Sequence, residues 1–183
     1  MHNVYAFVGG EVGTWRVLRI SKVLGAPLDH VDHIDVRPAS GDVQSNGNPW
    51  CLQGQISNLR YATRAELTSL RLRQESLGRV RARRAALIPI KKTGAWWELA
   101  QDERRAIFED QSHHTEIGLK YLPAVARQLY HCRDLAQPFD FLTWFEYAPE
   151  SADAFEELIE KLRSTPEWQY VEREVDIRLE RHG

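Results

Sequence analysis

The chain has 183 residues, 43% of them apolar and 27% charged, so it can bury a core as one generous domain or two small fused ones and is not a disordered segment. Lys and Arg number 24 against 26 Asp and Glu, a formal charge of −2 that excludes the net positive field needed to grip a nucleic-acid backbone. Two cysteines, Cys51 and Cys132, exclude a disulfide framework and a four-cysteine metal site, and without a CxxCH no haem attaches by the c-type route.

In chain order, Val4–Val8, Trp15–Ile20, Val31–Val36 and Trp50–Ile56 read as strands, with a Ser-, Gly-, Asn- and Asp-rich loop between Pro38 and Pro49. The opening MHNVYAFVGG has no basic segment before a long apolar one, so no secretory signal is read there. No apolar run approaches the roughly 20 residues of a membrane span, and the expectation is a soluble, cytoplasmic protein with no membrane partner. Thr63-Arg64-Ala65-Glu66 is a capping box opening a helix to about Ser76. Ala85–Ile90 is a short apolar strand in which Pro89 suggests an edge or an end. Gln101 to Leu122 reads as one helix, stopped by Pro123. Val125–Cys132 and Phe139–Tyr147 are strand-like, and Ser151 can cap a helix carrying Phe155, Leu158, Ile159 and Leu162 at helical spacing. Val171, Val175, Ile177 and Leu179 alternate with acidic residues, as in a long half-buried strand.

From residue 81 onward that order is βαββαβ, the ferredoxin-like plan, and the class is α+β. Residues 1–80 carry one recognisable helix where a full second copy needs two, so they read as a shortened partner to residues 81–183.

Among seven histidines, His113 and His114 are adjacent on the long helix. His114 shares its apolar face with Ile107, Ile117 and Tyr121, whereas His113 falls on the wet side with Glu109, Glu116 and Lys120. Spacing leaves two readings of His114 open: a core histidine satisfied by a carbonyl, or a neutral imidazole facing a metal. Arg127 shares a strand face with Val125 and Leu129. A guanidinium there is either half of a buried ion pair or a cation lining a cavity. By pattern alone Lys92 is solvated, Glu167 belongs to a turn, Trp96, Trp97, Trp144 and Trp168 are core, and the His30/His33 pair is too little for a zinc site. Gly78–Arg84 is a basic connector or a field that draws in small anions.

Several stretches together resemble the chlorite dismutase family, in particular its short, dimeric lineage. They are Ala85–Lys92, Trp96-Trp97-Glu98, Asp102–Arg105, Ser112-His113-His114, Lys120–Pro123, Ala126–His131 and Phe139–Tyr147, with Arg127 thirteen residues after His114. The match is densest from about residue 50 to the end.

The resemblance implies a dimeric α+β barrel with a non-covalent haem b in the C-terminal half. It implies His114 as the iron ligand, with Glu167 accepting from its far nitrogen and Lys92 as the cation of the same network. Trp96 and Trp97 lie beside the haem on this reading, and Asn58 and Tyr61 near its propionates. The resemblance implies Arg127 as the catalytic distal cation, with Gln74 nearby to hold one of its orientations. The implied reaction turns chlorite into chloride and dioxygen through an oxo-ferryl and hypochlorite pair. The alternatives are a coproporphyrin-haem decarboxylase or weak peroxidase of the same fold, or a non-catalytic haem-binding protein.

Overall fold

The computed structural model describes residues 4–39, 47–56 and 63–181. Eight strands, β1 (Val4–Gly10), β2 (Trp15–Leu24), β3 (His33–Pro38), β4 (Trp50–Ile56), β5 (Arg84–Lys92), β6 (Val125–His131), β7 (Phe141–Tyr147) and β8 (Val171–Arg181), close into an antiparallel barrel ordered β1-β3-β2-β8-β5-β7-β6-β4. Among the described residues this closure leaves no open sheet edge to be blunted. Each half of the chain supplies four neighbouring strands in the same permutation, fourth-first-third-second, and the quartets join where β2 pairs β8 and β4 pairs β6.

Alternation along the strands decides what fills the barrel. Phe7, Trp15, Ile34, Leu52, Leu87, Trp144 and Ile177 point inward into one apolar cluster contributed by both quartets. The opposite face of the second quartet carries Ala86, Ile88, Ile90 and Phe145, which bury Phe155, Leu158, Ile159 and Leu162 of helix α5 (Ala152–Arg163, numbered after the four helices below).

The other helices are α1 (Arg64–Arg73), α2 (Gly94–Glu98), α3 (Gln101–Arg105) and α4 (His114–Lys120). The capping box at Thr63 is present, its hydroxyl accepting from the Glu66 N–H and Glu66 accepting from the Thr63 N–H, although α1 stops at Arg73 rather than Ser76. Helix α1 follows β4 and so lies in the link to the second quartet. The bidentate pair of Glu66 with Arg105, at 2.8 and 2.9 Å, ties it to α3.

Four sequence expectations are corrected. Pro89 is not at an edge: β5 is central, paired with β7 through Pro89↔Leu142 and with β8 on its other side, where the ladder skips Ile88 and Pro89 and so never asks proline for an N–H. The strand β8 is buried on both faces, because Glu174 and Asp176 lie under α5, where Arg163 binds both and Arg178 binds Asp176. Ser151 stands at the N-cap of α5 but its side chain makes no capping bond. The expected helix from Gln101 to Leu122 is broken: residues Ala106–Gln111 are π-helical, His113 is left-handed at φ 50°, and α4 starts afresh at His114. The pattern does not show that break, since Ile107, His114 and Tyr121 stand seven residues apart and read as one face of an unbroken helix.

The carboxyl of Glu66 is held at about 2, against an ordinary 4.5, chiefly by its hydrogen bonds to Arg105. A depressed folded-state pKa adds stability that is complete above 4.5 and vanishes as pH falls through 2. Urea midpoints of the wild type and Glu66→Gln should therefore differ at neutral pH and converge on acidification across that window. A constant difference would remove the Glu66–Arg105 tie from the stability of the fold.

Candidate functional site

A cavity of about 480 Å³ lies between the outer face of β5, β7 and β6 and a roof made by α1, α4 and α5. The strand period of two brings Arg127, Leu129 and His131 of β6 to it together, and the helical stripe Leu67, Leu70, Arg71 and Gln74 of α1 covers it from above. Most of the remaining wall is apolar, including Ile88, Ile90, Phe108, Phe141, Phe145 and Leu162.

At one end stands His114, the first residue of α4, with 17% of its side chain exposed. Its Nδ1 lies 2.7 Å from Oε2 of Glu167, and the other oxygen of Glu167 accepts from Lys92 Nζ at 2.7 Å. All three line the cavity, and Glu167 and Lys92 are buried. The Glu167 N–H donates to Ser112 Oγ at 3.0 Å, which fixes the short helical turn Pro166–Tyr170 against the start of α4. Burial alone would raise the Glu167 carboxyl, but Lys92 and His114 beside it hold it at about 2. An ionised carboxylate can only accept, so Nδ1 of His114 is the donor in this bond, and Nε2 is the ring nitrogen left to face the cavity. Lys92 Nζ also stands 4.5 Å from the Trp96 ring centre, so that one face of the ammonium is covered by an aromatic surface.

The second charged wall is Arg127, which does share a face with Val125, as its strand pattern predicts. It is half-buried and makes no ion pair among the described residues; one guanidinium nitrogen, Nη2, is buried without a hydrogen-bond partner. Burial lowers its pKa, while Glu109 and Glu167 act in the opposite sense. Both effects operate on a group that stays charged throughout the working range of a protein. Gly118 of α4 makes room for it, since a Cβ there would lie 3.0 Å from Nη1. The Gln74 side chain donates to the Arg127 carbonyl at 2.8 Å, holding the backbone under the guanidinium rather than the guanidinium itself.

The structure thus brings His114, Glu167, Lys92, Trp96, Arg127 and Gln74 to one cavity. Trp97 is not part of its lining: it stacks on Phe141 at 6.0 Å, and the Arg133 guanidinium lies 3.9 Å from its ring centre. Asn58 and Tyr61 lie outside the described residues. His113 is exposed, as expected, although it stands in the break between helices and not on one, and Glu109 leaves the wet side and accepts from the Thr115 N–H at 2.9 Å, capping α4. The pattern readings of Lys92 as solvated and Glu167 as turn chemistry are corrected, because each satisfies the other's buried charge. In the basic connector, Arg79 and Arg81 pair with Glu75 and Arg84 with Glu180, so much of that charge is neutralised within the fold.

Sequence reasoning missed Phe108, Trp168 and His131 as cavity residues. His131 could have been found by stepping along β6 from Arg127 in twos. Trp168, whose indole N–H donates to Glu174 at 2.8 Å, gave no signal beyond being aromatic.

Comparison with known proteins places this geometry in context. A family model described as chlorite dismutase matches residues 50–181. A chlorite dismutase of Ideonella dechloratans is 36% identical over 86 residues, which are 47% of this chain and 28% of that protein, so the chain spans well under two thirds of this relative's length. The crystal structure of dimeric chlorite dismutases from Nitrobacter winogradskyi superposes with a TM-score of 0.91 at 56% identity, covering 97% of this chain and 99% of that one. A chlorite dismutase from Candidatus Nitrospira defluvii in complex with imidazole shares the fold at 22% identity, with a TM-score of 0.69 over 99% of this chain and 92% of that one.

Replacing Lys92 with Met keeps the stem's bulk and leaves the Glu167 carboxylate buried without its lysine. Lys92→Met should lower the urea unfolding free energy by about 3 kcal/mol, the scale of breaking one side of a buried pair. The double variant Lys92→Met/Glu167→Gln should recover part of that loss. A Lys92→Met midpoint equal to wild type would mean that water, not lysine, satisfies the carboxylate.

Proposed function

The chain belongs to the chlorite dismutase family, and from that premise we propose that it decomposes chlorite to chloride and dioxygen with a non-covalent haem b in the cavity of its C-terminal half. On this reading each strand quartet is a ferredoxin-like unit, and two copies of the chain form a homodimer, as the description of the 56% identical Nitrobacter structure supports.

The observation that carries the reading is the pairing, in one mostly apolar cavity, of His114, whose Nδ1 is held by a buried carboxylate, with Arg127, whose Nη2 is buried and unpartnered. Among the described residues no group of three or more His, Cys, Asp or Glu is placed to hold a bare metal ion. A single imidazole suits a metal that arrives already ringed by the nitrogens of its own macrocycle, and the apolar walls suit that macrocycle's faces. When bound, haem b supplies the iron at which the chlorine–oxygen bond of chlorite is broken.

The chain's own residues do the rest. His114 offers Nε2 as the ligand, and Glu167, accepting from Nδ1, gives the imidazole partial imidazolate character and makes it a stronger donor. Lys92 keeps Glu167 ionised and in place, so the proton stays on Nδ1 of His114. Trp96 closes the cavity beside that network and excludes water from it.

Chlorite becomes chloride and dioxygen with neither a proton nor an electron added, ClO2− → Cl− + O2. The site therefore needs a fixed cation and a tight enclosure more than an acid–base pair. Arg127 supplies the cation. It draws the anion in, and it keeps negatively charged fragments inside until the oxygen–oxygen bond is made.

The haem-loaded protein mixed with chlorite in an oxygen electrode should release dioxygen in proportion to the chlorite consumed. A flat trace with fully loaded protein would overturn the reading and favour a decarboxylase, a weak peroxidase or a haem carrier. His114→Ala should lose its histidine-ligated spectrum, and an unchanged Soret band and iron content would remove it from the site. Arg127→Ala should keep haem, lose at least tenfold in turnover, the roughly 1.4 kcal/mol or more expected of a preorganised charge, and leak trappable hypochlorite. Wild-type turnover without extra leakage would leave Arg127 a structural residue.

A further inference from the structure

The break between α3 and α4 has an outcome in side-chain geometry. On a continuous α-helix Phe108 and His114, six residues apart, would face directions about 120° from one another. In this fold the phenyl ring of Phe108 lies flat against the imidazole of His114, with ring centres 4.4 Å apart and planes 23° from parallel. Two backbone departures bring them together. The π-helical turn Ala106–Gln111 closes with Ser112 N–H donating to the Ile107 carbonyl at 3.1 Å, and His113 adopts φ 50°, a left-handed setting that a residue with a Cβ rarely takes. Glu109, within the π turn, then caps the freed Thr115 N–H at 2.9 Å and locks the new helix start.

Such a backbone is costly, and it persists only where the surrounding structure holds it. One thing it produces is a second constraint on His114. The hydrogen bond from Nδ1 to Glu167 fixes one point of the imidazole at 2.7 Å but leaves the plane of the ring free to tilt. A flat aromatic neighbour fixes the plane. Phe108 also lines the same cavity as His114, on the roof side.

We infer that Phe108 is a positioning residue for His114: by stacking on the imidazole it sets the plane in which Nε2 is presented to the cavity, and the π turn exists in this chain to place it there. The inference rests on the reading of His114 as the iron ligand, and it goes beyond that reading in assigning the orientation of the ligand to a residue that touches neither iron nor substrate.

The test begins with the haem-free wild type. Protons above an aromatic face resonate upfield, so the His114 ring-carbon proton signals, assigned by their loss in His114→Ala, should lie upfield of those of the exposed His113. Unshifted signals would overturn the stack without any variant of Phe108. Phe108→Leu fills most of the volume but has no π face, and it should move those signals back downfield. In the haem-loaded ferrous protein the same variant should broaden the iron–histidine stretching band in resonance Raman spectra. It should also speed haem transfer to apomyoglobin about two- to tenfold, the range corresponding to one aromatic pair. Phe108→Tyr, which keeps the ring, should behave as wild type in all three measurements. If Phe108→Leu leaves the band and the transfer rate at their wild-type values, Phe108 is only a wall of the cavity and the inference fails. The oxygen electrode separates the two readings: protein that evolves no dioxygen yet shows the Phe108-dependent band overturns the chlorite reading and keeps this one.

Discussion

A carboxylate with almost no access to water has to be compensated, and in this protein the compensation of Glu167 organises the second half of the chain. Its two oxygens recruit Lys92 from the end of β5 and His114 from the start of α4, and its backbone recruits Ser112. These residues are separated by up to 75 positions in the chain. Removing any one of them strands a buried charge or donor, so the end of a strand, the start of a helix and the turn before β8 are held in one arrangement. The direction of the proton follows from the same charge balance. Because Lys92 keeps Glu167 ionised, His114 must donate from Nδ1, and its remaining lone pair is the one available to a ligand.

The barrel explains why this happens on only one side of the molecule. Both strand quartets follow the same order and share one apolar interior, but among the described residues only the second has helices packed across its outer face. A sheet face covered by α1, α4 and α5 can enclose a cavity, whereas an uncovered one cannot. Helix α1 belongs in sequence to the link between the quartets and serves as the roof of the second. The tie from Glu66 to Arg105 couples that roof to α3, and the bond from Gln74 to the Arg127 carbonyl couples it to the strand carrying the buried, unpartnered Nη2.

Charge arithmetic and covering helices meet again under α5. The acidic residues of β8 looked like the wet side of a half-buried strand. They are instead buried with Arg163 and Arg178, a polar layer between strand and helix. Alternation in sequence reports that two faces differ in chemistry, not that one of them meets water. Lys92 and Glu167 teach the same lesson: each is unremarkable in its local pattern, and neither window of sequence contains the other. Only the resemblance to a family joined them in advance; it also set Trp97 beside the haem, and Trp97 stacks on Phe141 of the cavity wall.

Local sequence determined most of the strands, the capping box at Thr63, the apolar stripe of α5 and the placing of Arg127 on an apolar strand face, because each depends on periodicity or on contacts within a few residues. Tertiary structure alone decided the rest. Barrel closure put Pro89 into a central strand, and long-range pairing buried Glu167, Glu174 and Asp176. The π turn before Ser112 and the left-handed His113 after it ended a helix that the hydrophobic pattern carries straight through, and turned Phe108 onto His114. Periodicity records which residues are apolar and how far apart they stand. It holds no information about a charge whose partner lies dozens of residues away, or about a backbone that breaks where the apolar spacing runs on, and those two facts shape this site.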